Sequence, residues 1–339
     1  MRRAGVVTGG TWCCDHNKLV PYWPGEDGLV EIISEERRGG GPGCNMAVDL
    51  KKLDADLFVE TIGVVGNDDD GRILLAEADA YGIERSQLAI TSEATTNYTD
   101  AYASKASGRR IHIYYEGTNA LLTPDHFDFG RTRGRILHLG LPGIHRLMDA
   151  PWNDDGNGWV TVLRKARNAG LETNMELASV SPEKIAALVR PCLPHLDLLI
   201  VNDFEIGAIA GSTTVANGKT NVETCVEAAK TVMAWGSLRL VAVHFPTGAI
   251  VLDRTGSLLR KPSVKVPPGA VVGANGAGDA FAAGALYGIH QTWPLDDTIA
   301  LAHAAAAVSL RSMGTTDAVE NWKQCLQLAS RWGWRSEMA

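Results

Sequence analysis

Asp279 is the one acid in the glycine- and alanine-rich run G-A-N-G-A-G-D-A-F-A-A-G-A-L-Y-G, residues 273–288. Gly276 and Gly278 open backbone angles closed to residues with a Cβ, so the turn can aim several amide N–H groups at one point. Residues 280–289 are good helix formers, with Phe281, Ala285 and Ile289 spaced to share a buried face. A glycine turn feeding a helix N-terminus favours an anion, because orphan amides and the helix dipole both draw negative charge. A carboxylate there is repelled by a bound phosphate unless it has a task. Taking a proton from an attacking hydroxyl is the task that fits. Capping the helix is the competing use of the same Asp, and the turn alone does not separate the two.

Two further polar sets suit such a reaction. Asp15 follows the first apolar run, and Gly39-Gly40-Gly41-Pro42-Gly43-Cys44-Asn45 leads into a helix. Asp accepts from two hydroxyls at once, Asn donates and accepts, and bare glycine backbone allows close approach; together they suit a polyol or sugar. A turn acid and a helix cap are the plain alternatives for Asp15 and Asn45. Asn202 and Glu205 share one face of a turn after an apolar run, where they could hold a hydrated Mg²⁺ or a phosphate oxygen. That spacing also makes a capping box.

Positioning these residues takes alternating strands and helices. Strands are expected at 4–13, 57–65, 136–141, 171–177, 196–201, 238–244 and 249–252. Helices are expected at 43–53, 72–81, 158–169, 183–189, 221–235, 280–289, 298–311 and 319–332. Buried strands separated by helices predict a largely parallel sheet covered on both faces, with ligands beyond the carboxyl ends of the strands. Segments 17–37 and 95–115 break the alternation and read as a small sheet with one wet face, a lid over the site or a subunit contact. Residues 1–16, 38–94 and 117–330 then form the α/β core, and 17–37 and 95–116 the β lid. The tail 331–339, with Trp332 and Trp334, carries no readable signal, and a frayed end is the default.

Composition narrows the function classes. The 339 residues carry a formal charge of −7, which argues against a nucleic-acid binder while leaving room for a local basic pocket. No run is long enough to span a membrane, and polar Asp15-His16-Asn17 cuts the apolar segment after Arg2-Arg3 too short for a secretion signal. The six cysteines show no paired metal spacing, so reduced thiols in a cytoplasm are the expectation.

Taken together, these stretches resemble the ribokinase-like (PfkB) carbohydrate kinases. Gly276-Ala277-Gly278-Asp279 resembles the end of the family's D-T-x-G-A-G-D motif, and Gly40-Gly41-Pro42-Gly43-Cys44-Asn45-Met46-Ala47 its G-G-x-G-x-N-x-A. Gly63-Val64-Val65-Gly66-Asn67-Asp68-Asp69-Asp70-Gly71 is similar to G-x-V-G-x-D-x-x-G, and Asn202-x-x-Glu205 to N-x-x-E. The Ala-rich run 303–314 looks like the helix beside the adenine, and the order holds from about residue 4 to about 325.

The resemblance implies a three-layer α/β/α fold with a β lid, frequent dimerisation through that lid, and transfer of the γ-phosphoryl of ATP to a sugar hydroxyl. By it, Asp279 matches the catalytic base and the amides around Ala277, Gly278 and Asp279 the anion hole, with Gly276 in the same turn. Asp15, Gly40, Gly41 and Asn45 match the sugar-binding positions. Asn202 and Glu205 match residues that organise Mg²⁺ and phosphates, Thr247 and Gly248 the nucleotide pocket, and His303 the adenine side. The chain departs from the pattern at Gly273 and Ala274, which replace the leading Asp-Thr. Many members use that Asp for an activating K⁺, so K⁺ activation is not carried over. His244-Phe245-Pro246 stands where T-L-G is common, and Gly140-Leu141-Pro142 lacks the acidic substrate contact of true ribokinases. Sugars, sugar acids, inositols and nucleosides all remain open as acceptors. A binding sensor on a kinase scaffold would be expected to lose Asp279 or the glycine pair. A dinucleotide oxidoreductase would need a G-x-G-x-x-G after the first strand.

Overall fold

The computed structural model describes residues 3–338. Val6–Gly10, buried throughout, pairs in parallel with Val59–Gly66 on one side and Ile136–Gly140 on the other. Glu84–Thr91 extends the sheet beyond the former and Glu172–Met175 beyond the latter, again in parallel. The Asp197 amide donates to the Thr173 carbonyl at 3.1 Å, joining Leu198–Asn202 and its parallel neighbour Leu240–Phe245 to that side. Two antiparallel strands, Gly248–Asp253 and Leu258–Pro262, complete it.

Alternation along the strands divides their apolar side chains between two cores. Val6, Val59, Ile136, Ile200 and Ala242 pack with helices Pro42–Leu53, Ala277–His290, Leu295–Ser309 and Trp322–Trp332. Val7, Ile62, Leu137, Leu199 and Val241 pack with Gly158–Asn168, Pro182–Val189, Asp203–Ala210 and Val222–Trp235. Three layers, α/β/α, result, as the alternation of elements predicts. Helix Ala277–His290 owes its position to small residues: a Cβ at Gly284 would lie 2.8 Å from Ala302 Cα, so this helix and Leu295–Ser309 cross in close contact.

A second sheet runs in the order Ser34–Gly40, Cys13–Val20, Tyr98–Ser104, Arg110–Tyr115. Residues 4–13 do not form one strand. Gly10 takes φ 112°, where a Cβ would fall 1.5 Å from the Gly140 carbonyl oxygen, and the chain turns there. Buried Trp12 donates from its indole to Thr61 Oγ1 at 2.7 Å, and Cys13–Val20 then joins the small sheet. Residues 13–16, grouped with the core on the sequence pattern, therefore belong to that sheet. Cys14 and His16 share its outer face, where His16 Nε2 lies 2.9 Å from Asp70 Oδ2 and ties the strand to helix Asp69–Ala80. All six cysteines are unpaired and buried.

The C-terminal segment is docked rather than frayed over its described residues. Trp334 bridges to Val264, the Arg335 amide donates to the Ser263 carbonyl at 2.9 Å, and Met338 packs over Gly248. Among the described residues, no helix is long and apolar enough to cross a membrane.

Candidate active site

Gly276 precedes helix Ala277–His290 with φ 71°, and a Cβ there would lie 2.1 Å from the Thr315 carbonyl oxygen. Only glycine fits that turn without strain. Gly276 has no side chain to cap the helix, and among the described residues the amides of Gly278 and Asp279 find no acceptor. A Cβ at Gly278 would meet only the His244 ring, at 3.5 Å, so here glycine keeps open space in front of an amide. Ala277 and Gly278 line a cavity of about 720 Å³ together with Asn202, His244, Phe281 and His303. Burial holds both imidazoles neutral, His244 at about 4 and His303 at about 3. With Phe281 between them at ring distances of 4.8 and 5.2 Å, they offer apolar faces suited to a heteroaromatic base.

Asp279 joins this turn to the N-terminal glycine helix. It accepts from Asn45 Nδ2 at 2.8 Å, and Thr315 Oγ1 donates to Asn45 Oδ1 at 3.2 Å. Glu176 follows strand Glu172–Met175, and its carboxyl acts on that of Asp279. Glu176 Oε2 lies 2.8 Å from His138 Nε2, and His138 Nδ1 faces Asn174 Nδ2 at 2.9 Å. Desolvation, then the Glu176 carboxyl, drives Asp279 well above the usual carboxylate range, against the Asn45 hydrogen bond. Burial raises Glu176 to about 7. It also raises Asp15 to about 6, opposed by the Cys13 thiol and assisted by Asp279.

No sequence motif singled out Glu176, His138 or Asn174. Their signal was positional: His138 lies within strand Ile136–Gly140, Asn174 one residue before the end of strand Glu172–Met175 and Glu176 just past it, toward the carboxyl ends beyond which ligands bind in such sheets. The family model for pfkB family carbohydrate kinases matches residues 8–322. The chain belongs to this family. It is therefore a phosphotransferase with a hydroxyl acceptor. This PfkB kinase is 27% identical over 324 residues to an ATP-dependent ribose-1-phosphate kinase of Halopiger xanaduensis, covering 93% of this chain and 96% of that one. It is 23% identical to a 5-dehydro-2-deoxygluconokinase of Shouchella clausii, covering 93% and 92%. Its fold matches the ribokinase of Arabidopsis thaliana, solved with ribose and ATP, at a TM-score of 0.78 and 20% identity over 97% and 99% of the two chains. The nucleoside kinase of Methanocaldococcus jannaschii has the same fold, with a TM-score of 0.73 and 16% identity over 98% and 100%.

Other sequence-flagged residues of this PfkB kinase fall in distinct places. Gly40 lies against Asp15, where a Cβ would sit 2.3 Å from Oδ2, and Gly41, with φ 80°, precedes helix Pro42–Leu53. Asn202 and Glu205 form a capping box: Asn202 Oδ1 accepts from the Glu205 amide at 2.8 Å and Glu205 Oε2 from the Asn202 amide at 3.0 Å. Asn202 also lines the cavity. Thr247 and Gly248 do not line it, because the hairpin carries them away. Thr247 Oγ1 donates to the Met338 carbonyl, and the missing Gly248 Cβ makes room for the Met338 side chain. Pro246 and Ser263 line the cavity on that side.

Buried Glu205 gives a pH prediction. Burial raises it from 4.5 to about 7, so the folded state holds this proton more tightly than the unfolded one. Stability tied to it is present below pH 4.5 and is lost as pH rises through 7. Glu205→Gln, which preserves the capping box, is expected to raise the Tm of the ligand-free protein at pH 8, by about 2 kcal/mol in stability, and to leave it unchanged at pH 4. Thermal scans at the two pH values check this.

Proposed function

We propose that this kinase transfers the γ-phosphoryl of ATP to a hydroxyl of a sugar or sugar-like acceptor, with Asp279 as general base. The observation carrying this reading is the placement of Asp279, held by Asn45, in the same helix turn as the acceptor-free Gly278 amide that opens on the cavity. The base of ATP would lie among Phe281, His244 and His303, with its phosphates at the amides of Gly278 and Asp279. Asp15 and Asn45 would hold acceptor hydroxyls so that one faces Asp279 in line with the phosphoryl. A Mg²⁺ ion fits the donor set, since among the described residues Glu205 accepts a hydrogen bond through Oε2 and Asn202 reaches the cavity; when bound it would neutralise phosphate charge. Without an Asp at position 273, we expect no K⁺ requirement.

Arg110 favours a phosphorylated sugar as the acceptor. Strand pairing puts it on the same face of the small sheet as Asp15, and it contacts the Met313 carbonyl at 3.2 Å but, among the described residues, no carboxylate. A half-buried guanidinium without an acid suits an anionic substituent, in keeping with the name of the Halopiger relative. Arg110→Ala is expected to raise KM about 10-fold or more for a sugar phosphate and to change KM for the parent sugar little. Asp15→Ala should raise KM for either acceptor about 10-fold with KM for ATP unchanged. Steady-state kinetics on ribose, ribose 1-phosphate and cytidine check both variants, and preference for cytidine would support the nucleoside-kinase reading. Ile111, Ile113 and Tyr115 are 47, 56 and 45% exposed on the outer face of the small sheet, which supports a homodimer through it, testable by sedimentation.

A further inference from the structure

Asp70 occupies an unspecified position of the G-x-V-G-x-D-x-x-G stretch, between the capping Asp68 and Gly71, yet it is the acid of this turn that reaches strand Cys13–Val20. Cys14 and His16, two apart on that strand, put their side chains on one face, opposite that of Asp15. One donor atom of each of the three, Cys14 Sγ, a His16 ring nitrogen and an Asp70 carboxylate oxygen, lies within 4.8 Å of the other two. Thiol, imidazole and carboxylate from two elements make a ligand set suited to Zn²⁺, whose tetrahedral ligands stand about 3.3–3.6 Å apart. We propose that Cys14, His16 and Asp70 form a Zn²⁺ site that clamps the small sheet to helix Asp69–Ala80. The His16 and Asp70 side chains are 10 and 14% exposed, which leaves the fourth position to water.

The surroundings hold each ligand as a metal would need it. His16 Nε2 faces Asp70 Oδ2 at 2.9 Å, and its Nδ1 faces Asp100 Oδ1 at 3.4 Å. A carboxylate behind the imidazole fixes the tautomer that leaves Nε2 to a cation. Parallel pairing places Asp100 directly opposite His16, Lys18 secures that Asp100, and the Tyr98 ring stacks on the imidazole at 4.8 Å. Arg37 Nη1 contacts the other oxygen of Asp70, Oδ1, at 3.1 Å, so Oδ2 remains for the metal. The helix comes this close because Gly39, paired with Cys14, donates its amide to Glu77 Oε2 at 2.8 Å and leaves no room for a Cβ.

Charges balance around such an ion. A Cys14 thiolate and the Asp70 carboxylate neutralise Zn²⁺, while Glu35 answers Arg37 at 3.6 Å and Asp100 answers Lys18. Burial, then Asp70, pushes the Cys14 thiol up, so the metal-free protein keeps it protonated. Binding sends that proton, and the one on Nε2, to solvent as the metal takes the two lone pairs.

Metal titrations of the full-length, chelator-treated protein test the site without substrate, and hence apart from the reading of Asp279. With Zn²⁺ alone, one ion per chain is expected by competition with a chromogenic chelator, together with a rise in Tm that EDTA reverses. Co²⁺ alone should give a near-ultraviolet thiolate-to-cobalt band and the visible bands of a four-coordinate ion. Cys14→Ser should abolish the thiolate band, and Cys13→Ser, on the opposite face, should keep it. Asp70→Asn keeps the size of the side chain, so it tests the site even if Cys14→Ser fails to fold. It should lower Zn²⁺ affinity about 10-fold or more, and Asp100→Asn about 10-fold with the thiolate band retained. Absence of that band in wild type, or wild-type band and affinity in Cys14→Ser and Asp70→Asn, would reduce the cluster to an ion pair between sheet and helix and overturn the proposal. A band lost in Cys13→Ser but kept in Cys14→Ser would overturn it as well.

Discussion

Asp279→Asn is expected to lower kcat by about 10²-fold or more while KM for ATP changes by less than about threefold. Asparagine has the shape of aspartate and can still accept from Asn45, so the contact that joins the two glycine elements survives. Lost is the capacity to take a proton, together with a charge that burial and Glu176 already disfavour. The variant should therefore fold, with a Tm at pH 8 no lower than wild type, and bind nucleotide. Single-turnover rates with calorimetric ATP binding separate these effects. A capping Asp, the competing reading of this residue, predicts the reverse: lower stability with turnover largely kept.

Gly276→Ala should cost about 2–4 kcal/mol of stability and abolish most activity, because its two penalties add. The turn requires φ 71°, and the new methyl would lie 2.1 Å from the Thr315 carbonyl oxygen, which cannot move without disturbing Asn45. Gly278→Ala provides the control. Its methyl meets only the His244 ring at 3.5 Å, so it should melt with wild type and lose affinity for ATP alone. Denaturant unfolding of the two variants, read beside their KM for ATP, checks the contrast. Equal stability losses at both positions would mean that the open space before Gly278 has no bearing on the ligand.

These contrasts show which parts of the molecule the sequence disclosed. Strands such as Ile136–Gly140 and Leu198–Asn202, buried on both faces, announced themselves as continuous apolar runs bounded by turn residues. Glu84–Thr91 was missed because this edge strand buries only Leu88 and so carries no apolar run. Helix Asp203–Ala210 was missed because it is apolar on almost every side, leaving no 3.6-residue period to see. Asp279 and Asn45 were legible through the glycines around them, since a positive φ and a close approach restrict residue choice locally. Glu176 and His138 have no such local signature. What brings them to Asp279 is strand order, a tertiary fact. Thr247 and Gly248 show the converse: the resemblance sets them by the nucleotide pocket, and in the structure the missing Gly248 Cβ makes room for Met338, whose docking no local pattern foretells.

The most direct test is a coupled measurement of ADP and phosphoester formed from ATP over a panel of sugars, sugar phosphates and nucleosides, with wild type and Asp279→Asn side by side. At least one acceptor should yield ADP and phosphorylated product in a one-to-one ratio, and the variant should lose both together. Nucleotide binding without product from any acceptor, or matching turnover by the variant, would contradict the account.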